Sequence, residues 1–209
     1  DLVRLTGDAP QKTAQNVRHS GGDFVAGTVV VPKGAELYAR HIALAAMAGH
    51  GTLLVHRRLK VALVSTGNEL VTPGEPCADD LDALKRQFCA LANHDMIVTT
   101  GGASVGDHDL IAPALKAAGG EIVFWKIAMR PGKPVIAGRL GDAVTLGLPG
   151  NPVSAFVTAM LYLRPLIAHL CGALDPLPQR LTAPTGVDLA ANGARTDHLR
   201  AKLVDGILA

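Results

Sequence analysis

Three short apolar runs, each closed by a turn of small residues, set the pattern of the chain. Residues 59–64 (LKVALV) end at Ser65-Thr66-Gly67. Asp95 to Thr100 (DMIVTT) ends at Gly101-Gly102, and Ala143 to Leu148 (AVTLGL) ends at Pro149-Gly150-Asn151-Pro152. Runs of this length, rich in β-branched residues, predict buried strands. Between the first two, Asp79-Asp80 precedes Leu81, Leu84, Phe88 and Leu91, a helical spacing with acids at its start. Asp109 opens a shorter helical segment that ends at Gly119-Gly120, and Glu121 to Phe124 predicts another strand. Val135 to Ala137 and the Ala143 run predict a hairpin around Leu140-Gly141-Asp142. Val153 to Leu170 is apolar on every side, which predicts a helix that is buried or forms a dimer face. Strands alternating with helices predict an α/β fold on a mostly parallel sheet, with ligands outside the strand carboxyl ends.

The flanks read differently. Residues 1–57 offer turns, a strand at Thr28 to Val31, a helix at Arg40 to Ala48 and a strand at Gly51 to Val55, the tail of a mixed domain. Residues 58–177 make the central domain. Pro176 and Pro178 mark a linker, and 178–209, with short alternating segments, reads as the start of a small all-β domain. Both termini resemble interiors of elements, as in a trimmed chain.

Composition narrows the function. Hydrophobic residues make up 48% of the chain but aromatics only 3%, so the core is expected to be aliphatic. A net charge of +2 argues neither for nor against nucleic acid, but the chain has no dense Lys/Arg block for a phosphate backbone, so no nucleic-acid partner is expected. Cys77, Cys89 and Cys171 are odd in number and scattered, which suits a reducing compartment, with Cys89 on the apolar side of its helix. Residues 160–170, interrupted by Arg164 and Pro165, are too short to span a bilayer, and no charged-then-apolar leader opens the chain. A cytoplasmic protein with no membrane partner is the expectation. No zinc spacing, dinucleotide fingerprint or Walker motif is present.

The chemistry gathers in four turns. In the first, Gly67 lets backbone approach a ligand, while Thr66 offers a hydroxyl and Glu69 a carboxylate; a plain capped loop reads equally well. The second, residues 99–109 (TTGGASVGDHD), places Gly101, Gly102 and Ser104 in a possible phosphate nest. Asp107 and Asp109 beside it would repel phosphate unless a metal intervenes, and carboxylates with phosphate suggest Mg2+; helix capping is the alternative. The third holds Lys126, Arg130 and Lys133, an anion-binding set or else a solvated basic turn. The fourth, Pro149, Gly150, Asn151, Pro152 and Ser154, sets rigid backbone before a helix N-terminus able to hold an oxyanion.

Four motifs in order, LVSTGNEL-VTPGEP, VTTGGASVGDHDL, FWKIAMRPGKPV and GLPGNPVSAF, closely resemble the molybdopterin molybdenumtransferases, the MoeA-type enzymes of molybdenum cofactor biosynthesis. NVRHSGGDFVAGTVVVPKGAEL resembles that family's lead-in, and the resemblance covers most of residues 16–209. It implies a three-layer molybdopterin-binding domain flanked by a partial mixed domain and a partial C-terminal β-barrel. It implies insertion of molybdate into adenylylated molybdopterin with release of AMP, assisted by Mg2+. By motif, Asp79 and Asp109 match acids with catalytic or metal-related roles. Lys126 and Arg130 match a basic pair near molybdate or phosphate, where the second position is often lysine. Lys133 belongs to the PGKP turn, and Pro149 to Pro152 with Ser154 match the loop that shapes the molybdate or pterin site. The resemblance further implies a homodimer and a transient complex with a molybdopterin adenylyltransferase.

Two departures stand out. Asn68 replaces a frequent aspartate, and at Pro76-Cys77-Ala78-Asp79 the chain lacks a helix and strand that the family carries. Removing them would expose apolar surface on the remaining sheet. The rival readings are a molybdopterin adenylyltransferase, a CinA-like hydrolase, and a non-catalytic molybdopterin-binding or scaffold protein. Asp109, Lys126 and Arg130 together favour the enzyme over the scaffold.

Overall fold

A computed structural model describes residues 4, 6–7, 11–15, 17–65, 81–101 and 110–208. The chain divides into two compact units, Asp1–Val55 and His56–Ala209.

In the first unit the regular element is helix α1 (Ala39–Met47). The N–H of Tyr38, just before it, donates to Nδ1 of His41 at 3.1 Å. The strands expected at 28–31 and 51–55 do not form. An extended segment needs a neighbour for its N–H and C=O groups. Here Val29 and Leu54 instead lie open to solvent.

The second unit runs β1 (Val61–Ser65), α2 (Leu81–Leu91), β2 (Met96–Thr100), α3 (Ile111–Ala117), β3 (Glu121–Trp125), β4 (Met129–Arg130), β5 (Ile136–Leu140) and β6 (Ala143–Leu148). Helix α4 (Pro152–Thr158), a π-helical turn (Ala159–Leu163) and α5 (Arg164–Leu170) follow as one rod. The short strands β7 (Thr196–Asp197), β8 (Leu203–Val204) and β9 (Ile207–Leu208) end the chain. The main sheet has the order β1-β2-β6-β5-β3. β1, β2 and β6 are parallel neighbours, whereas β5 runs antiparallel to both β6 and β3. The sheet is therefore mixed, a correction to the mostly parallel one expected: the tight β5–β6 hairpin reverses the chain inside it, and two of its four pairings are antiparallel.

A second correction concerns the carboxyl-terminal segment. No closed β-barrel is seen among the described residues. β7 pairs with β4, and β8 pairs with β9 as a separate ribbon. Two-residue strands cannot wrap into a cylinder.

Apolar layers cover both faces of the sheet. On one, Val64, Ile97, Ile136 and Ala143 pack with Phe88 of α2 and Ile111, Ala114 and Leu115 of α3. On the other, Met96, Val98, Leu146 and Leu148 meet Ala155, Ala159, Leu163 and Ile167 of the long rod. β2 lies at the centre of this arrangement, with Met96 to Thr99 all buried. Cys89, expected in the core, is exposed. It sits about 100° around the helix from Phe88, the residue that turns inward.

The rod Pro152–Leu170 spans 19 residues with mean hydropathy 1.4, long and apolar enough to cross a membrane by length and composition. One flank is committed to the sheet. Its other side leaves Val153, Phe156 and Met160 exposed, so the rod is not buried on every side. At the far edge, β1 buries Ala62 and Val64 but leaves Val61 and Leu63 open.

Candidate active site

The sheet register lines up one row of residues near the strand carboxyl ends: Val64, Thr99, Gly147, Ile136 and Trp125. One step further lie Ser65, Thr100 and Leu148, with the Ser65 and Thr100 hydroxyls 3.3 Å apart. β1, β2, β6 and β3 all run towards this rim, so the turns singled out in the sequence leave the sheet there. Gly147 is required by packing. A Cβ on it would fall 2.2 Å from Cγ2 of Ile136 and 3.0 Å from the Thr99 hydroxyl. That hydroxyl is buried and has no hydrogen-bond partner among the described residues.

Gly101 leaves β2 with φ +85°, a conformation that costs an L side chain energy. A Cβ on Gly150 would meet the Gly101 Cα at 3.3 Å. Two turns far apart in sequence thus bring backbone against backbone. Asn151 then starts α4: its Oδ1 accepts the Ser154 N–H at 3.1 Å, with Pro152 in the first turn. Asn151 and Ser154 are thereby bound to each other as a helix cap.

The basic residues occupy one loop. Lys126 leaves β3 at φ +73°, its N–H donating to the Val135 carbonyl at 2.9 Å. The Ile127 N–H donates to the Lys133 carbonyl at 2.9 Å, which closes the loop and fixes Lys133 across from Ile127. Gly132, at φ +107°, has no room for a Cβ against Thr158 of α4. This contact seats the loop on the rod. The Lys126 ammonium lies 4.5 Å from the Trp125 ring centroid. Arg130 is exposed and pairs with Asp197 at 3.7 Å, where β4 meets β7. The His198 N–H donates to the Arg130 carbonyl at 2.7 Å. So Gly101, Pro149, Gly150, Asn151, Pro152 and Ser154 gather at one stretch of the rim, Lys126 and Lys133 lie in the loop that leaves it at the end of β3, and Arg130 sits on β4, outside the main sheet.

The remaining expected residues, Thr66, Gly67, Glu69, Asp79, Gly102, Ser104, Asp107 and Asp109, lie outside the described residues. Among the described residues no three His, Cys, Asp or Glu side chains cluster as a metal site. Mg2+, if bound, would fall to Asp79 and Asp109, whose oxygens suit a hard cation.

Two residues were missed in the sequence. Asp197 stands far along the chain from Arg130, and only strand pairing unites them. Trp125 had a readable signal, since an aromatic–lysine pair at a strand's end invites a cation–π contact.

A concavity opens at the other end of the sheet. Some 350 Å³ in volume, it is lined by His56, Arg57, Asp95, Arg139 and Asp142 among others. Arg57 grips Asp95 with both nitrogens, one bond measuring 2.7 Å, and the Lys60 N–H donates to the same carboxylate at 2.7 Å. The Arg57 guanidinium first, then the Lys60 N–H, hold the Asp95 carboxyl well below the usual carboxylate range. These charges already satisfy each other, so this end reads as a structural clasp.

The sheet, its flanking helices and the glycine turns at one rim define a mixed α/β, Rossmann-like sheet domain. The family model described as a probable molybdopterin binding domain matches residues 58–169. A molybdopterin molybdenumtransferase of Haemophilus influenzae is 37% identical, over 90% of this chain and 54% of its own. One from Staphylococcus aureus MSSA476 is 30% identical over 92% and 54%. A solved molybdopterin biosynthesis MoeA protein from Pyrococcus horikosii superposes with TM-score 0.70 at 28% identity, covering 90% of this chain and 54% of that one. The chain belongs to the molybdopterin molybdenumtransferase (MoeA) family, and it spans about half the length of these relatives. The Haemophilus alignment runs over 221 positions, while 90% of the 209 residues here is about 188; about 33 aligned positions have no residue in this chain.

Proposed function

We propose that this chain carries the central part of a molybdenumtransferase that inserts molybdate into adenylylated molybdopterin and releases AMP. The observation that carries the reading is a loop bearing Lys126, Arg130 and Lys133, closed by two backbone hydrogen bonds, which leaves the sheet at the same end as the Gly101 and Gly150 turns. Both the adenylyl phosphate and molybdate are oxyanions. Glycine turns let them approach main-chain N–H groups, and fixed cations offset their charge. Arg130 suits a tetrahedral oxyanion with its planar fork, whereas Lys126 acts as a point charge. Holding both anions at one rim couples cleavage of the adenylyl linkage, with AMP as leaving group, to transfer of molybdate onto the dithiolene. Asp79 and Asp109 would hold Mg2+, whose charge would offset that of the phosphate. A homodimer, and a passing complex with the adenylyltransferase that supplies the substrate, complete the proposal.

The test incubates the chain with adenylylated molybdopterin, Mg2+ and molybdate. AMP release that depends on molybdate, with molybdenum retained on the pterin, is expected. Tight pterin binding without turnover would replace the enzyme with a binding or scaffold protein. Adenylylation of free molybdopterin from ATP would move it one step earlier.

A further inference from the structure

We propose that Trp125 is a positioning residue for Lys126: its indole holds the lysine ammonium at the mouth of the site and yields it to the arriving oxyanion. The inference rests on the reading of Lys126 as an oxyanion-binding residue.

Three observations carry it. Trp125 closes the row that runs through Thr99, Gly147 and Ile136, so it stands on the same rim as the two glycine turns. It lies two strand spacings, roughly 10 Å, from Gly147. Next, Lys126 does not continue the strand. It takes a left-handed φ of +73°, unusual for a residue with a Cβ, and a hydrogen bond to Val135 keeps it there. Backbone held in such a region is a cost that folds accept where they must aim a side chain. The result is an ammonium 4.5 Å from the indole centroid.

Finally, among the described residues no carboxylate pairs with Lys126, whereas Arg130 on the same loop meets Asp197. The indole is what confines Lys126. An exposed ammonium is drawn to an indole less strongly than to an oxyanion, so the ring limits where the lysine can go without competing with the ligand. A carboxylate in the same place would neutralise the charge that the site needs.

Trp125 is the only tryptophan, so the emission of the whole chain reports this contact. Titration with molybdate in the presence of adenylylated molybdopterin should shift that emission saturably. Lys126→Met should start from a different emission and stay flat. In turnover, Trp125→Leu should raise the KM for molybdate by about two- to fivefold with kcat nearly unchanged. Trp125→Phe should recover most of the loss, and Trp125→Leu should add nothing in the Lys126→Met background. Circular dichroism melts identify any variant that fails to fold, and the fluorescence comparison then stands on Lys126→Met alone. Identical emission from wild type and Lys126→Met overturns the inference. So does an unchanged KM in Trp125→Leu while Lys126→Met loses molybdate. If Lys126→Met itself handles molybdate normally, the role of Lys126 fails, and the inference with it.

Discussion

The two ends of the central sheet use the same residue types for opposite purposes. At the amino end, Arg57, Asp95 and the Lys60 N–H satisfy one another around a sizeable hollow. At the carboxyl end, Lys126 rests on an aromatic ring and Arg130 touches a carboxylate only at 3.7 Å, on a loop that leaves the sheet at the same end as the Gly101 and Gly150 turns. Charge that is spent within the protein stabilises it, and charge left facing solvent can be given to a ligand. A hollow is thus a guide to function here only together with the pairing state of the charges around it.

Exchanging the ends tests that contrast. Lys126→Ala should cut molybdate-dependent AMP release by about a hundredfold or more, with the melting temperature nearly unchanged. A parallel fall in stability would place Lys126 with the clasp. Gly147→Ala should destabilise the chain by about 1–3 kcal/mol, because its methyl group collides with Ile136; denaturant unfolding measures this. Asp95→Asn should lower the melting temperature at neutral pH and leave turnover alone. Asp95 is held in its charged form, so its contribution is complete above the ordinary carboxylate pKa of about 4 and fades as the pH falls below it. The gap between wild type and variant should therefore close in acid, and a constant gap would assign the loss to packing. The smallest effect is expected from Thr99→Val. Its hydroxyl is buried without a partner among the described residues, so a change in stability near zero, or a small gain, should appear in thermal melts.

Much of the sheet was legible because its strands are short apolar runs bounded by glycine and proline. Ala143 to Leu148 and the hairpin at Gly141 form as read, and the rod through Leu170 begins within a residue of its expected start. Thr28 to Val31 and Gly51 to Val55 have strand composition but no strand beside them, and pairing is not a local property. The reversal of β5 was implicit in the hairpin, yet the sheet was still expected to be mostly parallel. Motif order located the basic loop and the Asn151 turn. What it could not supply was company: Lys126 with Trp125 follows from a left-handed turn, and Arg130 with Asp197 from a short parallel pairing. Cys89 was placed inside by its neighbours, but helix phase set it outside.

Among the described residues β1 is the outermost strand on its side of the sheet, with Val61 and Leu63 facing water. Such an edge is a template. Its free N–H and C=O groups accept any extended segment of matching polarity, and its two bare side chains reward the union. In a crowded or concentrated solution that makes β1 the weak point of colloidal behaviour. A single outward lysine at Leu63 should improve recovery from refolding without touching the row of residues that leads to the rim.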